Sequence, residues 1–236
     1  MLGNQIKRVV KRATMQESIY AQLRTSLMQG GFEPGQQLTV AVLAEAFGSS
    51  AMPVREALRQ LVVEKGLVAL PNGTIQVPEV SEKRLRDLCE ARLALEGLAT
   101  AMACENMDAS SIRRLKRLIS EHELAIKHDG IHESLEKNQE FHFLIYNASG
   151  SSVLPQLIET VWLQCGPYMR VVTEEVERNQ DVPYHTAGTN YHHIVAQELE
   201  KRDAQAAREA MEKDIRLAFD FLIDVLRTRE PHSIAE

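Results

Sequence analysis

The chain has 236 residues, of which 44% are hydrophobic and 25% charged, a balance that supports a real core and excludes a disordered polypeptide. Its length points to two domains, and no run approaches the 18 or so consecutive apolar residues of a membrane span. The net charge of −6 divides unevenly, with eight basic against six acidic residues over 1–80 and nineteen against twenty-seven over 81–236, so the halves are expected to meet different partners.

The first segment, MLGNQIKRVVKRAT, is basic but has no apolar stretch behind the charges and so is not a secretory signal. Cys89, Cys104 and Cys165 are scattered and odd in number, which fits a reduced cytoplasmic location better than a disulfide framework or a thiolate zinc site. Few aromatics and abundant Ala, Leu, Glu, Arg and Gln favour helices.

In chain order, Ile19, Leu23 and Leu27 share one face of a helix over about 15–28, which ends at a Gly30–Gly35 turn containing Pro34. A second helix is expected over 39–47 with the Thr39 hydroxyl as its cap, and a third over 52–65 with Pro53 in its first turn. The Gly48-Ser49-Ser50 turn joins these two. Residues 67–70 and 74–77 flank Pro71-Asn72-Gly73 and read as a hairpin. After Pro78 the pattern becomes helical throughout: 81–107, capped by Ser81, then about 109–128, 132–148, 152–177, 187–201 and 203–228. The expected fold is therefore mainly α, with an N-terminal winged helix-turn-helix carrying a small β-hairpin wing, and a C-terminal all-α bundle of about six helices. The expected boundaries are a basic arm over 1–14, a DNA-binding domain over 15–78, a linker over 79–81, a helical domain over 82–229 and a tail over 230–236.

Three helices followed by a hairpin is the order of a winged helix-turn-helix, whose tight turn lets the second helix of the motif enter a major groove. LRTSLMQGGFEPGQQL (23–38), LAEAFGSSAMPVREALRQL (43–61) and KGLVALPNGTIQV (65–77) closely resemble the DNA-binding domain of GntR-type bacterial regulators. Ser49, Ser50 and Met52 then open the recognition helix toward phosphates and base edges, and Arg55 and Arg59 follow one and two turns on. Asn72, Gly73 and Thr74 form the wing tip. Arg8 and Arg12, with Lys7 and Lys11, make an arm that reads equally as a DNA contact or as a solubilising tail. Ala51 and Ala41 stand where relatives often carry basic residues, so base readout is expected to be leaner in charge.

LRDLCEARLALEGLATAMA (85–103), EFHFLIYNASGS (140–151) and HHIVAQELEKRDAQAAREAMEKDI (192–215) together resemble the helical effector (FCD-type) domain of the FadR-like branch of that family. The resemblance implies a divalent metal held at positions that read here as Asn138, His142, His192 and Asp214. Two match the usual ligand types and two depart, and the single anionic ligand moves from one helix to another. An imidazole pair with oxygen donors favours Zn or Ni. His193 is the one-residue alternative to His192, and a metal-free pocket is the alternative to both.

Arg92 and Glu96, one helical turn apart, read either as an ion pair on a solvated face or as a pocket arginine offering its fork to a carboxylate. Tyr146 and His185 join Arg92 as expected effector contacts, while Trp162, Tyr168 and Met169 read as core or interface.

The function these features imply is a ligand-responsive bacterial transcriptional regulator, repressor or activator. It binds a palindromic double-stranded DNA operator as a homodimer, and a small molecule, expected to be a carboxylate, binds near the metal; no membrane is involved. The rival reading is a metal-dependent hydrolase with an attached DNA-binding module, since two histidines and a carboxylate can activate water. Against it, the chain has no HExxH helix, nucleophile elbow or phosphate-binding Gly loop, and only Glu140 offers itself as a base.

Overall fold

A computed structural model describes residues 14–128, 130–178 and 183–229. Helix α1 (Met15–Met28) starts at a capping box, in which the Thr14 hydroxyl accepts the Glu17 amide and the Glu17 carboxylate accepts the Thr14 amide at 2.8 Å. The Ile19, Leu23 and Leu27 stripe is buried, each side chain contributing roughly 1.5–3 kcal/mol relative to exposure. Strand β1 (Gln37–Leu38) leads into α2 (Val40–Ala46) and α3 (Ala51–Val63), and β2 (Val68–Ala69) and β3 (Ile75–Gln76) follow. Val54, Ala57, Leu58 and Leu61 on α3 are buried, and α3 packs against α1.

The sheet has three antiparallel strands in the order β1-β3-β2, with Gln37 and Val68 on either side of Gln76. The hairpin thus gains a third strand that the sequence reading did not include, because two residues are too few to show an alternating pattern. Thr39 occupies the cap position of α2, but its hydroxyl makes no cap bond, contrary to expectation. The first turn is closed by backbone instead, with the Leu43 amide on the Thr39 carbonyl at 3.1 Å.

Beyond the winged domain, α4 (Glu82–Asn106), α5 (Ala109–Lys127), α6 (Ile131–Asn147), α7 (Leu154–Arg178), α8 (Pro183–Lys201) and α9 (Ala204–Arg229) form a helical bundle. Here α4 and α8 lie along α9, and α5 lies along α6 and α8. Ser81 caps α4 by accepting the Arg84 amide, and its own amide and carbonyl are both hydrogen-bonded by the Tyr168 hydroxyl on α7 (3.2 and 3.1 Å). The boundary between the domains is therefore tied to the bundle.

α7 also packs against α1. A Cβ at Gly166 would lie 2.0 Å from the Leu27 carbonyl oxygen, and one at Gly30 would lie 2.6 Å from the Arg170 amide nitrogen. Glycine is required at both positions because backbone meets backbone there. Among the described residues no helix is long and apolar enough to cross a membrane.

Candidate functional site

The first site is the exposed end of the helix-turn-helix. Gly48 adopts φ 56°, which turns the chain sharply between α2 and α3. Ser50 is the exposed N-cap of α3, yet its side chain makes no cap bond, so the helix's leading N–H groups have no side-chain cap, the arrangement that suits a phosphate. Ser49 is half-buried, with its hydroxyl on the Ser50 carbonyl at 3.2 Å; Met52 is 64% exposed and Arg55 is exposed beside it. Arg59 is also exposed and pairs with Glu56 at 2.8 Å. At the wing tip Gly73 has φ 84°, and the Asn72 side-chain oxygen accepts the Thr74 amide at 3.0 Å. Arg8 and Arg12 lie outside the described residues.

The second site is a cavity inside the bundle. α6 brings Asn138 and His142 to its wall, α8 brings His192 and α9 brings Asp214. Ligand atoms of His142, His192 and Asp214 all lie within 4.8 Å of one another, and all three residues are buried. Nε2 of His142 is 3.3 Å from one Asp214 oxygen, and Nε2 of His192 is 3.6 Å from the other. Donors bound at about 2.0–2.2 Å around a tetrahedral ion sit about 3.3 Å apart, so this spacing fits a metal.

Neither ring nitrogen of His192 has a hydrogen-bond partner, although the residue is buried, and an orphaned buried donor set of this kind is what a metal would satisfy. Burial lowers the His142 pKa despite the opposing pull of Asp214, which keeps the imidazole neutral and able to donate a lone pair. Burial pushes the Asp214 carboxyl up, but His192 and His142 more than reverse this and hold it ionised, below the usual carboxylate range. His193, the neighbour, points the other way: it is exposed and pairs with Glu123 at 2.9 Å.

Behind His142 lies a buried polar network. Its Nδ1 is 2.9 Å from the Tyr146 hydroxyl, which in turn donates to Glu96. The Glu96 carboxylate also accepts Arg92 through both Nε and the terminal nitrogen (2.5 and 3.0 Å) and the Trp162 indole N–H at 3.0 Å. The Arg92 guanidinium stacks over Trp162, 4.4 Å from the ring centroid. Burial lowers the arginine's pKa, but the Glu96 charge more than restores it, so the guanidinium stays charged.

The solvated-face reading of Arg92 and Glu96 is therefore wrong, since Arg92 is 6% exposed and Glu96 0%. Arg92 does line the cavity, with its fork engaged by Glu96. Tyr146 does not line it; the tyrosine sits behind His142 and fixes that ring. Trp162 and Met169, read as core or interface, line the cavity, whereas Tyr168 faces the linker. The His185 side chain lies outside the described ones.

The sequence reading missed His122 and Ser134. His122 Nε2 is 3.0 Å from the Ser134 hydroxyl, and its ring centroid is 5.4 Å from that of His192. Both residues line the cavity. Only the packing of α5 on α6 brings them there, and no spacing within either helix signals it.

Residues 87–217 match the FCD domain family, and residues 15–77 match the family described as bacterial regulatory proteins, gntR family. The chain belongs to the GntR family, in its FCD branch. This GntR regulator is 28% identical to the HTH-type transcriptional regulator McbR of Escherichia coli over 214 residues, covering 89% of this chain and 95% of McbR. It is 31% identical to the HTH-type regulator YdhC of Bacillus subtilis, over 60% of this chain and 64% of that one. The solved structure of E. coli McbR/YncC superposes with a TM-score of 0.83 at 25% identity, covering 90% of this chain and 99% of that chain. A GntR structure from Rhodococcus sp. RHA1 shares the fold, with a TM-score of 0.70 at 18% identity over 90% of this chain and 97% of that one.

Proposed function

We propose that this transcriptional regulator responds to a small carboxylate bound beside a divalent metal, and that it binds a palindromic operator as a homodimer. The observation that carries the reading is the buried His142, His192 and Asp214 triad opening on a cavity that Arg92 also lines. His142, His192 and Asp214 would hold the metal, with Asn138 as a neutral fourth donor; two imidazoles and an aspartate favour Zn or Ni. A bound ion supplies a Lewis-acidic anchor for one carboxylate oxygen. The chain's own contribution is the Tyr146–Glu96–Arg92 network, which holds the His142 ring and sets a guanidinium at the cavity wall. Such an effector acts only if it binds the DNA-competent and incompetent states with different affinity.

Metal content after loading with Zn²⁺ or Ni²⁺ and dialysis tests the site. His142→Ala, His192→Ala and Asp214→Ala are expected to empty it and His193→Ala to leave it full. Asn138→Asp, which adds a second anionic oxygen, is expected to tighten it. A wild-type chain that comes through metal-free refutes the metal; an empty His193→Ala variant moves the ligand to the next residue. The hydrolase reading lacks a base at the right place, since Glu140 pairs with Lys137 at 3.0 Å and does not line the cavity. Multiple turnovers of candidate effectors by the metal-loaded chain would revive it.

A further inference from the structure

The cavity is not walled by the helical domain alone. Met28, the last residue of α1 in the winged domain, lines it, is only 7% exposed, and takes a long hydrogen bond on its sulfur from the Gln139 amide at 3.9 Å. The cavity is partly open to solvent and its space for water-sized groups is about 60 Å³, room for only a few at about 10–15 Å³ each. A longer ligand must therefore push part of the wall aside.

Most polar wall residues are tethered. Arg92 and Trp162 are held by Glu96, His142 by Tyr146 and His122 by Ser134. The long, unbranched and readily reshaped side chains in the wall are Met28 and Met169. These two stand on opposite sides of the α1–α7 contact, where Gly166 meets the Leu27 carbonyl and Gly30 meets the backbone of Met169 and Arg170. Backbones pressed together leave no soft layer to absorb a shift of Met28, and α1 packs directly on the recognition helix α3.

We infer that Met28 is an effector-contacting residue supplied by the DNA-binding domain, which limits the length of acid the cavity accepts and passes its occupancy to α1. This rests on the reading of the cavity as the effector site. Trp162 is the only tryptophan of the chain and lines the same cavity, so its emission reports what enters.

The test uses full-length, metal-loaded wild type, Met28→Ala and the volume-conserving Met28→Leu. Each is titrated with acetate, butyrate, hexanoate and octanoate, and separately with benzene. In wild type and Met28→Leu the emission response is expected to fade before octanoate, while Met28→Ala accepts the longer acids and also responds to benzene, because an emptied apolar space takes it up. An acid that binds wild type is further expected to change its operator affinity about tenfold, and to change that of Met28→Ala much less. Identical chain-length profiles in wild type and Met28→Ala, or a Met28→Ala chain silent to benzene, overturn the inference. Undiminished coupling in Met28→Ala overturns the transmission through α1. If the acids are silent in all three proteins while benzene reports only in Met28→Ala, the carboxylate reading falls and Met28 keeps its place in the wall.

Discussion

Glu96 shows how much a single buried group organises. It accepts Arg92 twice, Tyr146 and Trp162, with no exposure to solvent. Glu96→Gln keeps the shape but leaves Arg92 as an uncompensated buried charge, and is expected to lower unfolding stability in urea by about 3–5 kcal/mol. Tyr146→Phe removes one hydrogen bond and is expected to cost only about 1 kcal/mol. The same variant frees the His142 ring, so metal affinity is expected to fall about 10–100-fold although no ligand has been removed. A Tyr146→Phe chain with wild-type metal affinity would show that the hydroxyl does not orient His142.

Cys165 sits at the cavity wall with its thiol pushed up to about 12, chiefly by burial. At pH 9 about one molecule in a thousand then carries the thiolate, which is the reactive form. Cys89 and Cys104 are buried and raised as well. Alkylation by iodoacetamide, followed by mass spectrometry, is expected to leave all three unmodified in the folded protein and to label all three in denaturant; rapid labelling of Cys165 in the folded protein would place it in the open. At this scale the sequence disclosed which residues carry chemistry but not how deeply they lie. The i,i+4 spacing of Arg92 and Glu96 is the same on a wet face as in a core, and only the packing of α4 on α9 and α7 decides between them.

α7 works on two sides. One flank gives Trp162, Cys165, Met169 and Val172 to the cavity, and the other meets the winged domain through Leu163 against Gly66, Gly166 against Leu27 and Glu159 against Arg24 at 3.2 Å. Gly166→Ala places a methyl where backbone already stands, so α1 must move; it is expected to destabilise the chain by at least about 1–3 kcal/mol and to change operator affinity as well. Gly73→Ala is the control, since its φ of 84° is strained for alanine but open space surrounds it. There a loss of about 1–2 kcal/mol is expected, confined to the wing. A Gly166→Ala chain that unfolds in urea like the wild type and keeps its operator affinity would mean that the α1–α7 contact is not tight. Helix ends were readable because Ser81 and the Gly and Pro breaks announce them chemically. The inter-domain role of α7 was not, because a glycine inside a helix looks like a weak point until the surface it touches is known.

At the scale of the molecule, the winged-helix order, the helical domain and the residues Asn138, His142, His192 and Asp214 were legible from contiguous motifs, whereas the complete wall of the cavity was not, because it comes from six bundle helices and the end of α1. An inverted-repeat operator needs two reading heads on one face of the duplex, hence two chains. On α4, Leu98 and Met102 stand one turn apart at 43% and 38% exposure, an exposed apolar pair on one flank of the helix. If that flank joins the two chains, the double variant Leu98→Glu with Met102→Glu is expected to halve the mass seen by light scattering and to reduce full-operator affinity toward that of a half-site, while half-site affinity stays unchanged. Arg55→Ala is expected to do the reverse. Its mass should stay that of the wild type, half-site affinity should fall by the ~1–3 kcal/mol of one lost base or phosphate contact, roughly 5–150-fold, and full-operator affinity by up to about twice that free energy, because both chains lose the contact. The two variants thus separate assembly from reading. A double variant that remains dimeric at full affinity removes α4 from the interface, and an Arg55→Ala chain that binds the operator normally removes α3's first exposed arginine from the DNA.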